Sequence, residues 1–308
     1  MIYDDKTIIH IGFHKTGTTF IQKKIFSAFP DIFYRVPQAR IGSHFSTSPL
    51  HYSEKEVQAF CDSEKSMTNA PINVFSCEAL SSNIHGGDHL SAYKADRLYH
   101  HLPEAKVLIG IREQRSMIKS AYNQFLRAKG SYSIEEYLQN PKTNKFSFNH
   151  LQYDKIISYY KAVFGKEKIL VLPYELLSSD PHKYLTTVFD FIGIDKSHIL
   201  SEIEGQITER VNESLKPIQL QVKRYFNPFI VPGIPRLGTT FNFKVLKILF
   251  SISNKLLEKL PTKPIDERIQ TRQLQIISDI TGNRFVESNR KTSALIDINL
   301  ADYGYKSS

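Results

Sequence analysis

Residues 7–29, TIIHIGFHKTGTTFIQKKIFSAF, decide the fold of the chain. The opening TIIHIGF is apolar and β-branched, a pattern that predicts a buried strand ending near Gly12. A polar turn follows at 14–19, and apolar residues at helical spacing predict a helix over 20–29. A loop that opens directly into a helix presents backbone N–H groups and the positive end of the helix dipole. The stretch therefore predicts an anion-binding site.

The turn nearly matches the phosphate-binding pattern G-x-x-x-x-G-K-[ST], read from Gly12 to Thr19. Thr18 stands where that pattern has its lysine, and the lysine lies three residues earlier, at Lys15. We therefore expect a loop that holds phosphate without being a Walker A motif. Lys15 precedes the helix and would approach a bridging oxygen from the side. An ordinary strand-turn-helix, with a glycine for the turn, is the alternative.

Composition sets broad limits on the class of protein. The 308 residues suffice for one large α/β domain or two modest ones. The net charge of +9 favours anionic ligands or surfaces, without choosing among a nucleotide, an acidic glycan, a membrane and nucleic acid. Two cysteines, Cys61 and Cys77, make no disulfide framework and indicate a reducing cytoplasm. Neither a membrane-spanning run nor a secretory signal is expected.

Apolar strands alternate with helices as far as residue 194. The further strands are predicted at 72–76, 106–111 and 168–172, and the helices at 53–66, 88–101, 113–129, 149–164 and 181–192. Because each strand is almost wholly apolar, we expect an α/β fold with a parallel sheet that helices cover on both faces. Residues 31–52, interrupted by prolines, are expected to be a loop that lines an acceptor site.

Three of these strands end in residues that carry chemistry. His14 and Lys15 follow the first strand, Glu78 follows the second predicted strand, and Arg112 follows the third. Parallel sheets bind ligands beyond the carboxyl ends of their strands. We therefore expect these side chains to converge on one site.

The chain changes character after residue 200. We expect 1–200 to form the α/β core, and 201–308 to be a mainly helical part that completes the same domain and carries the acceptor site. Residues 243–260, FKVLKILFSISNKLLEKL, predict a basic amphipathic helix. It would lie on a membrane surface or hold a lipid-linked substrate, or else pack on the domain or a second subunit.

Several of these stretches resemble sulfotransferases. GFHKTGTTFIQ is similar to their loop for the 5′-phosphosulfate, and Arg112 with Ser120 eight residues later is similar to their 3′-phosphate motif. Helix geometry alone would not propose that pair, because eight residues span about 12 Å along a helix. The segment 164–194 and the closing Tyr303-Gly304-Tyr305 resemble the later strand and helix and the end of bacterial members.

The resemblance implies a P-loop-like fold and the donor 3′-phosphoadenosine 5′-phosphosulfate (PAPS), which leaves as adenosine 3′,5′-bisphosphate (PAP). By the same resemblance, the residues that hold the 5′-phosphosulfate are Lys15, Thr16, Gly17, Thr18 and Thr19. Arg112 and Ser120 would hold the 3′-phosphate. The late R-K-G motif of the cytosolic small-molecule members is missing, and Arg210, Asn212 and Ser214 would serve the 3′ side instead.

Sulfuryl transfer resembles phosphoryl transfer, an in-line displacement in which charge builds on the leaving oxygen. Lys15 is the candidate for stabilising that charge. Glu78, His85 and His14 are the candidate catalytic bases, and Glu78 is favoured because it resembles the acidic residue at this strand end in many bacterial members. The scheme requires no metal, and the pair His85 and His89 is interrupted by two glycines.

The expected acceptor is a hydroxyl of a carbohydrate or a lipid-linked glycan, reached in the cytoplasm or at the inner face of the membrane. Nucleic acid is not an expected partner. A P-loop-type small-molecule kinase is one alternative, although Lys15 is misplaced for it. A basic membrane-surface protein without catalysis, using 243–260, is the other.

Overall fold

The structure, a computed structural model, describes residues 6–13, 15–81, 90–139, 146–203, 215–230 and 256–308. The chain divides into two compact units. The first comprises Met1–Gln114, Ser147–Val211 and Asn283–Ser308, and the second comprises Arg115–Phe146 and Asn212–Gly282. The expected division near residue 200 stays a prediction.

One parallel sheet organises the first unit. Its strands are β1 (Lys6–Gly12), β2 (Phe33–Arg35), β3 (Ile72–Ser76), β4 (Lys106–Ile111) and β5 (Ile169–Pro173). Their order is β2-β3-β1-β4-β5, and each neighbouring pair is parallel. Every residue of β3 is buried, as expected for a strand covered on both faces. The predicted α/β class is confirmed.

The register of the sheet determines which chemical groups meet. His10 on β1 lies beside Ser76 on β3, and Gly12 lies beside Gly110 on β4. Ile111 in turn lies beside Pro173 on β5. The residues that follow these four strands therefore all leave the sheet at the carboxyl ends of the strands. The loop after the central strand, β1, lies between the others.

Helices and short turns connect the strands. The first helix, α1, is an α-helix over Thr18–Phe20 that continues as a π-helix over Ile21–Phe26. The others are α2 (Gln38–Phe45), α3 (Glu54–Ser66), α4 (Ser91–His101), α5 (Gln114–Arg127), α6 (Ile134–Gln139), α7 (Tyr153–Phe164), α8 (Tyr174–Ser179), α9 (Pro181–Ile192), α10 (Ser197–Ile203), α11 (Pro217–Ile230), α12 (Lys263–Thr281) and α13 (Val286–Ile296). Single 3₁₀ turns include Glu78–Ser81 and Leu300–Tyr303.

Two capping signals in the sequence give the observed helix starts. The Ser53 hydroxyl accepts from the Glu56 N–H at the start of α3. The Asp180 carboxylate accepts from the Lys183 N–H at 2.9 Å at the start of α9. Gly193 ends α9 with a left-handed φ of 79°. Both helices begin within one residue of the starts predicted at 53 and 181.

The loop prediction for 31–52 is wrong, because this stretch contains β2 and α2. Pro37 directly precedes α2, and Ile41 and Phe45, four residues apart, are fully buried. A short helix with two buried positions gives too weak a periodicity to outweigh the flanking prolines.

Two predicted helices have different bounds in the structure. The helix predicted over 20–29 ends at Phe26, where the Ser27 N–H donates to the Gln22 carbonyl in the wider π pattern. The helix predicted over 149–164 begins at Tyr153, because a 3₁₀ turn occupies Phe148–Leu151.

Polar side chains hold the backbone of the second unit together. The Asn227 amide donates to the carbonyls of Leu126 at 2.9 Å and Gly130 at 2.6 Å. The Asp266 carboxylate accepts from the Ile218 N–H at 2.8 Å, at the start of α11. Of the predicted amphipathic helix 243–260, residues 243–255 lie outside the described residues. No helix in the described ranges has the length and apolar character needed to cross a membrane.

Candidate functional site

The loop after β1 turns sharply through two left-handed residues. Lys15 has a φ of 69° and Gly17 a φ of 80°. The Gly17 carbonyl accepts from the N–H groups of Phe20 at 2.9 Å and Ile21 at 3.2 Å. Helix α1 therefore starts directly at the loop. The first N–H groups of any helix have no acceptor within the helix, because no helical residue precedes them. The structure thus places the loop at a helix start, and its role in binding an anion stays a prediction.

Two threonines close the loop against the sheet. The Thr16 hydroxyl donates to the Phe13 carbonyl at 2.6 Å and lies 3.4 Å from the Thr18 hydroxyl. A Cβ on Gly12 would meet the Thr18 and Thr16 hydroxyl oxygens at 2.5 and 2.7 Å. A Cβ on Gly110 would meet the Thr16 hydroxyl oxygen at 3.0 Å. Glycine on both central strands lets the loop sit this close to the sheet.

Arg112 reaches the same loop from the end of β4. Its guanidinium donates to the Lys15 carbonyl at 2.9 Å and stacks on the Tyr174 ring at 4.6 Å. The Arg112 carbonyl accepts from the Tyr153 hydroxyl at 2.6 Å. The structure thus brings together Lys15 and Arg112, which the sequence had placed at the ends of two strands. A guanidinium and a lysine at one helix start suit a ligand with more than one anionic group.

Glu78 lies on the opposite side of β1, in the turn Glu78–Ser81 that follows β3. The Ser81 hydroxyl donates to the Gly12 carbonyl at 3.2 Å and to the Glu78 carbonyl at 2.9 Å. The buried Lys94 ammonium donates to the Ala79 carbonyl at 2.6 Å. The turn that carries Glu78 is therefore tied to the strand that carries the loop.

A buried polar network lies between β1, β3 and α1. The His10 Nδ1 lies 2.8 Å from the Ser76 hydroxyl oxygen, and the Gln22 amide donates to the same oxygen at 2.9 Å. Burial lowers the pKa of His10 to about 4. The imidazole is therefore neutral at physiological pH, and the network anchors the helix to the sheet beneath the loop.

The structure describes only one of the six remaining predicted site residues. Ser120 lies on α5, in the stretch that belongs to the second unit, so its pairing with Arg112 stays a prediction. The other five lie outside the described residues: His14, His85, Arg210, Asn212 and Ser214. Within the described ranges, no three histidine, cysteine or acidic side chains cluster as a metal site would require. The expectation that no metal takes part stays a prediction.

Sequence reasoning assigned no role to the residues at the end of β5. Tyr174 stacks under Arg112, and the half-buried Glu175 carboxylate accepts from the Glu113 N–H at 3.0 Å. The rule that selected Lys15, Glu78 and Arg112, that chemical groups at strand ends converge, applies equally to the strand that ends at Pro173. Applied to that strand, it would have found both residues.

Comparison with known proteins assigns the family. A sequence model described as the sulfotransferase domain matches residues 4–229. The chain belongs to the sulfotransferase family, whose members generally take the sulfuryl group from PAPS. It is therefore an enzyme that transfers sulfuryl groups.

A solved structure agrees with this family at the level of the fold. The crystal structure of a sulfotransferase from Alicyclobacillus acidocaldarius is similar to this chain with a TM-score of 0.54. The two are 14% identical, and the match covers 99% of this chain and 100% of that one. No curated protein sequence matches this chain.

Proposed function

We propose that the enzyme transfers the sulfuryl group of PAPS to a hydroxyl of a carbohydrate or lipid-linked glycan. The observation that carries the proposal is the contact between the Arg112 guanidinium and the Lys15 carbonyl. It puts a fork-shaped cation beside a helix start that suits phosphate, which matches a donor with two separate phosphate groups.

The roles proposed for the loop come from the resemblance to other sulfotransferases, and the geometry and charge of the loop are compatible with them. The loop residues 15–19 would hold the 5′-phosphosulfate at the start of α1, and Arg112 with Ser120 would hold the 3′-phosphate. Arg210, Asn212 and Ser214 are further candidates for the 3′ side. Lys15 would stabilise the negative charge that develops on the bridging oxygen as the sulfur–oxygen bond breaks.

The acceptor side of the reaction needs a base. The acceptor hydroxyl oxygen attacks sulfur while the bond from sulfur to the 5′-phosphate oxygen breaks, and PAP leaves. Glu78 would take the hydroxyl proton, and its half-buried place at the end of β3 supports this role. His14 and His85 are the alternative bases. The sulfate ester and PAP are the two products.

Donor binding tests the proposal against the kinase alternative. Calorimetry should detect PAP binding without a metal and no tight binding of ATP with Mg²⁺. Tight ATP–Mg²⁺ binding without PAP binding would overturn the proposal. Lys15→Ala should weaken PAP binding, whereas Lys183→Ala, which removes an exposed lysine from α9, is the matched control and should not.

A transfer assay identifies the acceptor class. PAPS labelled on sulfur is incubated with a panel of glycans, glycolipids and simple lipids, and the label is followed into product. We expect label in a carbohydrate-containing acceptor. In the cell this acceptor would be one that is reached from the cytoplasm or the inner face of the membrane. If anionic vesicles bind the protein, Lys15→Ala and Arg112→Ala keep that binding unchanged, and no panel member accepts label, the non-catalytic surface role is the better one.

A further inference from the structure

The segment 300–306 is connected by hydrogen bonds to the residues around Arg112. The Tyr305 hydroxyl donates to the Glu175 carboxylate at 3.2 Å, and the other oxygen of that carboxylate accepts from the Glu113 N–H at 3.0 Å. Tyr305 is only 2% exposed. Burial raises the pKa of its hydroxyl well above the ordinary value, so the hydroxyl remains a donor. This first route ends at the residue directly after Arg112.

A second route reaches the next residue along the chain. The Lys306 carbonyl accepts from the Asn289 amide at 2.9 Å. The Asn289 carbonyl oxygen accepts from the Gln114 amide at 2.6 Å. Gln114 and Asn289 are 2% and 1% exposed, so water does not compete for these bonds. Gln114 is the first residue of α5, two residues after Arg112.

The guanidinium is oriented from the same side. Tyr174, which precedes Glu175 on α8, provides the ring on which Arg112 stacks. Burial raises the pKa of Glu175, while the Glu113 N–H, Arg112 and Tyr305 oppose the shift by favouring the carboxylate. The backbone before α5 and the Arg112 guanidinium are thus held by two adjacent residues of α8, Glu175 and Tyr174.

We propose that 300–306 is a positioning element for the proposed 3′-phosphate-binding arginine, acting on Arg112 through Tyr305–Glu175 and through Asn289–Gln114. The inference rests on the proposed function, because it assigns Arg112 the 3′-phosphate of the donor. Tyr305 and Asn289 are positioning residues, since they reach Arg112 only through other side chains. The consequence is a selective one: loosening the segment should weaken binding of the 3′-phosphate and leave the 5′ side intact.

Tyr305→Phe tests the inference without removing the buried ring. We expect the Kd for PAP to rise roughly tenfold, the effect of losing one hydrogen bond to a charged group. Binding of adenosine 5′-phosphosulfate, which lacks the 3′-phosphate, should stay unchanged. Tyr303→Phe is the matched control. Tyr303 lies two residues before Tyr305, and its ring packs against the hydrophobic core. An equal loss for both ligands in Tyr305→Phe would overturn the inference, because it indicates general loosening of the fold.

A double-mutant cycle separates the inference from the proposed function. In an Arg112→Ala background, Tyr305→Phe should cause no further loss of PAP affinity, because the residue acts through Arg112. If Arg112→Ala weakens PAP binding and Tyr305→Phe does not, only the role of the segment is wrong. If Arg112→Ala leaves PAP binding unchanged, both the proposed 3′-phosphate site and the inference are wrong. Asn289→Ala, which breaks the second route, should repeat the selective loss.

Discussion

The Arg112 guanidinium donates a hydrogen bond to the Lys15 carbonyl at 2.9 Å, across the boundary between β4 and the loop after β1. The two residues are 97 positions apart in the chain and meet because β1 and β4 are neighbours in the sheet. The donor site that we propose is therefore assembled by strand order. Each of its parts can be tested separately.

Replacing Arg112 by lysine should show that shape matters as well as charge. Lysine keeps the positive charge but loses the planar fork and the stacking on Tyr174. We expect PAP affinity to fall by roughly tenfold or more, as for loss of a charged hydrogen bond. Arg284→Lys is the control, since that exposed guanidinium stacks on Phe148 at the same 4.6 Å. Equal PAP affinity in wild type and Arg112→Lys would contradict the assignment.

Alanine substitutions at two glycines should change the free energy of unfolding in opposite directions. Gly12→Ala brings a Cβ against the Thr16 and Thr18 hydroxyls and should lower the free energy of unfolding by about 1–3 kcal/mol. Gly42→Ala meets nothing within 4 Å in helix α2 and should raise it by about 0.5–1 kcal/mol. Urea unfolding measures both. The prediction fails if Gly12→Ala is as stable as wild type.

His10 should make stability depend on pH in the acidic range. Its pKa is about 4 in the folded protein, below the ordinary 6.5, so only the unfolded chain binds a proton between these values. The free energy of unfolding should therefore increase as pH rises from about 4 to 6.5, and the His10 contribution should be level beyond that range. The size is on the order of 3 kcal/mol, from 1.36 kcal/mol per pKa unit.

His10→Gln should reduce this slope in urea titrations at a series of pH values. His51→Gln, which changes an exposed histidine, should leave it as in wild type. A slope that persists undiminished in His10→Gln would assign the pH dependence to other groups.

Glu78→Gln should separate proton removal from donor binding. If Glu78 is the base, kcat should fall by roughly 10²–10⁴-fold while the Kd for PAP stays unchanged. Glu104→Gln, which alters a carboxylate that is 89% exposed and paired with Lys168, should keep full activity. Unchanged kcat in Glu78→Gln would transfer the role to His14 or His85.

Sequence predicted the regular part of the fold well because local chemistry determined it. Strand β4 is the run KVLIGI, in which only the first residue is polar, so its burial follows from composition. Ser53 and Asp180 mark the starts of α3 and α9 with a capping oxygen. Such signals depend on neighbours in the chain and need no knowledge of the sheet.

The parts that sequence missed depend on contacts between distant segments. The role of Tyr174 and Glu175 arises because Ile111 pairs with Pro173, and that pairing requires the order of the strands. The left-handed Lys15 is likewise invisible in sequence, because lysine has no preference for that conformation. Strand ends could be predicted to converge, but the direction of a side chain beyond the strand could not.

Lys15 places function and stability in opposition at one residue. A non-glycine residue at a φ of 69° carries a steric cost of about 1–2 kcal/mol, which glycine would not. Lys15→Gly should therefore keep the free energy of unfolding at or above that of wild type, although glycine normally weakens a fold. Transfer should be lost in the same variant. On the role that we propose for Lys15, a more stable protein lies one substitution away and lacks the ammonium group that transfer requires.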